Sequence, residues 1–410
     1  MSEQAPIPQA PTLDDVRRAA LAGDGVVRPT PVLSSRTLSR RTGITIALKA
    51  ENLQRTGSFK LRGALAKIAS LDDGGGVVTA SAGNHAQAVA YAAHERGMAC
   101  EVFMPESAPI SKAEATTALG ATVRLVGESV DESLAAAQER ARETGLAFVH
   151  PFDDPVVVAG QGGLGLELVE QVPNLARVIV PVGGGGLISG VAIAVKSLAP
   201  EVQVIGVQAE ACAPIVESVR AGEPVAVASA RTIADGIAVK RPGVLTLALI
   251  ERWVDQMVAV AEDEVAEAIV FLLERTKLVV EGAGAVGVAA VLAERVAHEG
   301  EGTTAVILSG GNVDPGLLAQ IARRHESQEG RRYVLLARLP DRPGSLALLL
   351  TLVGELGANL LDVEHIREGF DLHVRESAVQ LVLETRGPEH AERVRRAVRE
   401  AGYAKPLVIR

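Results

Sequence analysis

The stretch "RTGSFKLRGA", residues 55–64, places a lysine where its amine could act as a nucleophile. Ser58 reads as a helix cap, and Leu61, Ala64, Leu65 and Ile68 follow at the spacing of one buried helical face. Lys60 then belongs to the opening turn, where the free N–H groups and the helix dipole disfavour a cation. The neutral amine favoured there is the form that attacks a carbonyl. A second group is "PVGGGGLISG" (181–190), in which an apolar run leads into Gly183, Gly184, Gly185 and Gly186 and then a helix with Leu187, Val191, Ala194, Val195 and Leu198 on one face. Backbone without Cβ atoms can close around a phosphate, and the helix start supplies N–H donors. A third is "SAGNHAQ" (81–87), where Ser81, Asn84 and the loop amides converge on a helix N-terminus suited to a carboxylate. A fourth, "ILSGGNVD" (307–314), puts Ser309 at the carboxyl end of a strand, where open α/β sheets bind ligands.

Two further glycine-rich segments read as structural. "GAGAVG" (282–287) matches G-x-G-x-x-G, but it follows an amphipathic helix with no adequate strand between, so close helix packing explains it better. "AGQGGLGLEL" (159–168) has no strand immediately before it and reads as a flexible loop feeding a helix.

These groups need elements to hold them. "TIALKA" (45–50), "GVVTA" (76–80), "CEVFMP" (100–105), "ATVRLV" (121–126), "RVIVPV" (177–182), "VQVIGV" (202–207) and "TTAVILS" (303–309) read as buried strands. Most precede a segment with helical spacing and a glycine stop, the pattern of a mostly parallel α/β sheet. Residues 178–195 are uncharged over membrane-spanning length, yet the proline and four glycines within them fit strand, loop and helix better. The charged stretch 323–332 lacks apolar periodicity and reads as a linker, centred on 326–332. Beyond it the order βαββαβ in about 80 residues is that of a ferredoxin-like module.

The chain has 410 residues, 48% hydrophobic and only 2% aromatic, enough for two or three aliphatic cores. A net charge of −9 and no basic stripe argue against nucleic acid as a partner. The 2 cysteines supply neither a disulfide framework nor a metal cluster, and the polar, Pro-rich N-terminus lacks an apolar signal core. A soluble cytoplasmic protein with no membrane partner is expected.

Taken together, "ENLQRTGSFKLRGA", "SAGNHAQ", "PVGGGGL", "ADGIAV" (234–239), "EGAGA" (281–285) and "SGGN" (309–312) resemble the fold-type II pyridoxal-phosphate enzymes. The similarity is closest to the threonine ammonia-lyase (threonine dehydratase) family and covers nearly the whole catalytic part. The tail "LPDRPGSLALLLTLVGELGANLLDVEHIR" resembles an ACT domain, an amino-acid-sensing module. The resemblance implies a catalytic domain over 1–325 with two α/β subdomains, the smaller roughly 50–150, and an ACT-like domain over 333–410. It also implies pyridoxal 5'-phosphate as cofactor, with Lys60 forming the covalent link to it and removing the substrate's α-proton. Phe59 would lie against the ring, Asn84 would hydrogen-bond its 3-oxygen, and Gly183 to Gly186 with the Leu187 amide would hold the phosphate. Ser81, Asn84 and His85 would form the substrate side, although a histidine such as His85 is more often structural. Ser309 would face the pyridine nitrogen, and a hydroxyl there leaves the ring largely neutral. That suits prompt departure of a β-leaving group, such as water from threonine or serine.

Within the same fold, serine racemases usually carry a second serine where this chain has Ala82, so racemisation should be poor. Of their acidic cation ligands Glu210 is present, but Val216 stands six positions later, so no tightly bound structural Mg²⁺ is expected. An L-serine dehydratase or a serine racemase-like enzyme is the alternative within the fold, and an amino-acid sensor without catalysis the alternative of a different class. The ACT resemblance implies a homodimer or homotetramer and an amino-acid effector near "DRPGSL" (341–346).

Overall fold

The structure, a computed structural model, describes residues 9–72, 75–297, 301–366, 375–403 and 407–408. All seven apolar runs form strands, and they sort into two sheets. The six-stranded sheet runs Val32–Ser34, Thr45–Ala50, Thr303–Leu308, Leu175–Pro181, Gln203–Ala209 and Gln256–Val260, parallel except for the first pair. The four-stranded sheet is parallel and runs Thr122–Leu125, Cys100–Met104, Val77–Ala80 and Ala147–Phe148. Val32–Ser34, Gln256–Val260 and Ala147–Phe148 were not legible as strands; the first and last have three and two residues. Thr122–Leu125 is an edge strand, and contrary to expectation most of its side chains are exposed.

The larger core lies between the six-stranded sheet and the helices Pro155–Gln171 and Gly186–Leu198. The first of these corrects the reading of 159–168 as a loop, because its glycines are helical and serve contact. Gly165 packs against Val191 and Ala194, and a Cβ on Gly190 would meet the Val158 carbonyl at 2.2 Å. Such close helix contact leaves no room for side chains, which is why the segment lacks the apolar periodicity that marks an ordinary helix. The helix Gly186–Leu198 is buried on all sides from Gly186 to Val195, whereas Leu198, expected on its inner face, is exposed. "GAGAVG" lies in the helix Gly282–Leu292, packed close to the backbone of Ile233 and Gly310, as its sequence context suggested.

By internal contacts the chain divides into 1–313 and 314–410. The stretch expected as a linker is helical through Gln328, as the end of the helix Pro315–Gln328 that Asp314 caps through the Leu317 amide. Only Ile321 in that helix is buried, so its surface charge hides its periodicity. The second unit continues with strand Arg332–Pro340, helix Ser345–Glu355, strands Asn359–Ile366 and Glu376–Glu384, helix Pro388–Glu400 and strand Leu407–Val408. Numbered in chain order within that unit, the strands lie 2-3-1-4 in an antiparallel sheet. This is the expected ferredoxin-like βαββαβ arrangement. Residues 367 and 368, placed in a strand by the sequence pattern, lie outside the described residues.

Candidate active site

The candidate residues gather at the carboxyl ends of parallel strands, where open α/β sheets expose loop backbone and helix N-termini. Gly183 follows Leu175–Pro181, Ser309 follows Thr303–Leu308, and Ser81 to Asn84 follow Val77–Ala80. Lys60 reaches the same place through a short 3-10 turn, Glu51–Leu53, after Thr45–Ala50.

Lys60 opens the helix Lys60–Ala69, and Leu61, Ala64, Leu65 and Ile68 are all buried as the spacing required. The cap differs from expectation. Phe59 occupies the cap position, no side chain caps the helix, and the buried Ser58 hydroxyl has no partner. Ser58 instead bridges Gly310 as in an antiparallel sheet. Phe59 N donates to Ser309 O at 3.1 Å and Gly311 N to Gly57 O at 2.9 Å. The lysine loop is therefore laced by its backbone to the "SGGN" loop.

Below the lysine lies a buried ionic network. Arg62, 6% exposed, donates from Nε and Nη2 to the two oxygens of Glu51 at 2.9 and 2.8 Å, and from Nη1 to Glu167 at 2.7 Å. Lys49 donates to Glu167, to Thr30 O at 2.7 Å and to Gln171 at 2.8 Å. Because Arg62 stands two residues after Lys60, this fork fixes the helix start relative to the sheet.

Lys60 Nζ is half-buried, donates to Pro151 O at 2.8 Å and lies 5.3 Å from the Phe59 ring centre. Burial pulls its pKa from 10.5 down to about 8, against the charge of Glu281, which pulls it up. The neutral amine inferred from the helix start is thus favoured chiefly by desolvation. The loop that supplies Pro151 O also supplies Phe152, whose ring lies on Gly184 and whose backbone lies on Gly186. Sequence reasoning missed this loop, for it carries no motif, only proximity.

The four-glycine turn has the expected form. Gly185 has φ +94°, and a Cβ there would meet Thr246 at 2.8 Å. Thr246 Oγ1 donates to Gly184 O at 2.6 Å, holding the turn. The amides of Gly186 and Leu187 fall in the first turn of their helix, where no intrahelical carbonyl can accept them. Ser309 is 2% exposed. Ser81 Oγ accepts from Gly83 N at 3.1 Å.

Asn84 and His85, adjacent in sequence, diverge in space. His85 Nε2 donates to Val149 O at 3.1 Å. Burial, and secondarily the Lys60 charge, push its pKa down to about 3. The imidazole is thus biased to its neutral form, with Nε2 held by the Val149 carbonyl. Asn84 meets side chains instead. Its Nδ2 donates to Glu281 Oε1 at 2.6 Å and its Oδ1 accepts from Asn312 Nδ2 at 2.8 Å. Glu281, 3% exposed, has its pKa pushed up to about 7, first by burial and then by the charge of Asp235. Asp235 pairs at 2.6 Å with Lys112 from the four-stranded side. Glu281 and Asn312 stood inside quoted motifs but carried no assigned role, because nothing in their spacing shows that they meet Asn84.

The donor set fits pyridoxal phosphate. A desolvated amine stands near glycine amides at a helix start that suit a phosphate, and an oriented carboxamide lies beside them. Among the described residues no three His, Cys, Asp or Glu side chains group so as to hold a metal ion. No described helix is long and apolar enough to cross a membrane.

Comparison with known proteins agrees with this chemistry. An L-threonine ammonia-lyase of Thermotoga maritima is 48% identical over 400 residues, 97% of this chain and 99% of that protein. A catabolic L-threonine dehydratase of Escherichia coli K12 is 42% identical over 313 residues, covering 75% of this chain and 95% of its own length. Among solved structures, the processed form of threonine deaminase isoform 2 from Solanum lycopersicum superposes with a TM-score of 0.71 at 35% identity, over 78% of this chain and 93% of its own. Maize serine racemase gives 0.73 at 35% identity, over 78% and 99%. Residues 24–310, which contain the lysine, the glycine turn and Ser309, match the family model described as pyridoxal-phosphate dependent enzyme. On that match and on the arrangement around Lys60, the chain belongs to the pyridoxal-phosphate-dependent enzymes of fold type II.

Proposed function

We infer that the protein is a threonine ammonia-lyase, converting L-threonine to 2-oxobutanoate and ammonia and acting also on L-serine. The observation that carries this reading is the half-buried Lys60 amine, whose pKa burial lowers to about 8, in a chain that aligns almost end to end with an L-threonine ammonia-lyase. When bound, pyridoxal phosphate draws electrons from the amino acid's α-carbon, so that its proton becomes removable and its β-hydroxyl can leave. Lys60 would be the residue linked to the cofactor, and its Nζ, when free, would take the substrate's α-proton. Gly183 to Gly186 and the Leu187 amide would hold the phosphate, and Phe59 would lie against the ring. Asn84 would donate to the ring's 3-oxygen, and Ser309 would face its nitrogen with a hydroxyl. Ser81 and the neighbouring amides would hold the substrate carboxylate. Loss of water leaves an unsaturated amine that tautomerises and hydrolyses to the 2-oxo acid and ammonia, which balances the reaction.

Racemisation, the activity named for maize serine racemase, is disfavoured because Ala82 offers no acid to the opposite face of the α-carbon. The reading extends to a cytoplasmic homodimer or homotetramer with an amino-acid effector at the C-terminal ferredoxin-like unit. Release of 2-oxobutanoate from L-threonine and of the corresponding acid from L-serine, by cofactor-loaded protein and by Lys60→Ala, tests it. Product that disappears in the variant is expected. No product from either substrate despite bound cofactor would assign another reaction of this fold.

A further inference from the structure

Glu281 is the buried titratable group that the chemistry above leaves without a task. It stands at the cap position before the helix Gly282–Leu292, where a carboxylate ordinarily accepts from the first-turn amides. It makes no such bond; Oε1 instead accepts from Asn84 Nδ2 at 2.6 Å, 197 residues away in sequence. Gly310 and Gly236 make room for that oxygen, since Cβ atoms there would approach it to 2.3 and 3.2 Å.

The surrounding bonds allow Asn84 only one orientation. Asn312 Nδ2 has two hydrogens, and it donates to Thr56 O at 2.9 Å and to Asn84 Oδ1 at 2.8 Å. The atom of Asn84 that faces it must therefore be the oxygen, and the amide nitrogen must face Glu281. The backbone N–H of Asn312 also favours the charged form of the Glu281 carboxylate, so the two ends of the clamp lie side by side. One Asn84 Nδ2 hydrogen is used by Glu281, and among the described residues the other meets no acceptor. A flipped amide would set oxygen against the cofactor's 3-oxygen, an electrostatic repulsion.

We propose that Glu281 is a positioning residue which, with Asn312, locks the Asn84 carboxamide so that its free N–H is presented to the 3-oxygen of bound pyridoxal phosphate. The proposal rests on the reading of Asn84 given above and adds to it what holds Asn84 in place. The charges facing Glu281 are Lys60, whose amine its charge pulls upward in pKa, Asp235, and Lys112 paired to Asp235. Glu281 therefore reaches the position of the cofactor's band through Asn84, while its field at Lys60 bears on the pH midpoint alone.

The test reads the cofactor's visible absorption band and its pH midpoint in purified, cofactor-loaded protein without substrate, for Asn84→Ala, Glu281→Ala, Glu281→Gln and the double Asn84→Ala/Glu281→Ala. Asn84→Ala and Glu281→Ala are expected to move the band, with a midpoint shift on the order of one pH unit. The double variant should move it no further than Asn84→Ala alone, and Glu281→Gln, which keeps an oxygen facing Asn84, should restore the wild-type maximum. If Asn84→Ala moves the band and Glu281→Ala does not, the proposal is overturned while Asn84 keeps its role. Additive shifts of the band maximum in the double variant would also overturn it, because Glu281 would then act on the band without Asn84. If Asn84→Ala itself leaves the band unmoved, the role of Asn84 and the proposal fall together. Should Glu281→Ala not fold, Asn312→Ala, which opens the other jaw of the clamp, is read in its place with the same expectations.

Discussion

Acetylation of the cofactor-free protein at Lys60, followed across pH by mass spectrometry of its peptide, reads the chemical state on which the mechanism depends. Acetic anhydride reacts with the neutral amine alone, so the rate follows the neutral fraction. An ordinary lysine titrates at 10.5, whereas burial brings Lys60 to about 8, a difference of about 3 kcal/mol between its protonation states. At pH 7 the neutral fraction rises from about 0.03% to about 9%, close to 300-fold, when the pKa falls from 10.5 to about 8. The rate at Lys60, normalised to a free lysine peptide, should therefore exceed that of the standard at neutral pH by that order, apart from any steric shielding. Its pH midpoint, which shielding does not move, should lie near 8. Glu281→Gln should lower the midpoint further, because the carboxylate opposes desolvation at the amine. A midpoint near 10.5 in the folded protein would refute the argument that burial prepares this lysine as nucleophile and base.

Arg62→Met leaves the fully buried Glu51 without its two guanidinium bonds, and loss of one member of such a pair costs about 3–5 kcal/mol; denaturant unfolding of the holoenzyme should show a loss in that range. Gly185→Ala forces a side chain into φ +94° and against Thr246, and the left-handed backbone alone costs roughly 1–2 kcal/mol. Cofactor affinity, measured by equilibrium dialysis, should fall at least tenfold, and an unchanged affinity would argue against this turn as the phosphate cradle. Isoleucine titrated into threonine turnover should alter the rate of the full chain and not of a chain ending at Val313; an effect on neither would remove the effector from the reading.

The sequence revealed those parts of the site where one residue type must occupy one backbone conformation. Four glycines before a helix, a lysine at a helix start and a serine after a strand are local statements, and the structure sets each at the end of a parallel strand. Two kinds of feature stayed hidden. The glycines of the helix Pro155–Gln171 read as a loop because close packing against Val191 and Ala194 removed the side chains that mark a helix. The clamp on Asn84 stayed hidden because its members, Thr56, Asn84, Glu281 and Asn312, come from four separate segments of the chain that meet only once both subdomains are folded. No periodicity reports such a meeting. Motif residues near Lys60 therefore divide into those that can touch the cofactor and those, such as Arg62 and Glu281, that hold other residues in place. A buried charge without a cofactor contact still has a mechanical reason to be where it is. Arg62 fixes where the lysine begins its helix, and Glu281 fixes which edge of the Asn84 amide faces inward. The lysine supplies the chemistry, and the two buried charges decide what geometry that chemistry meets.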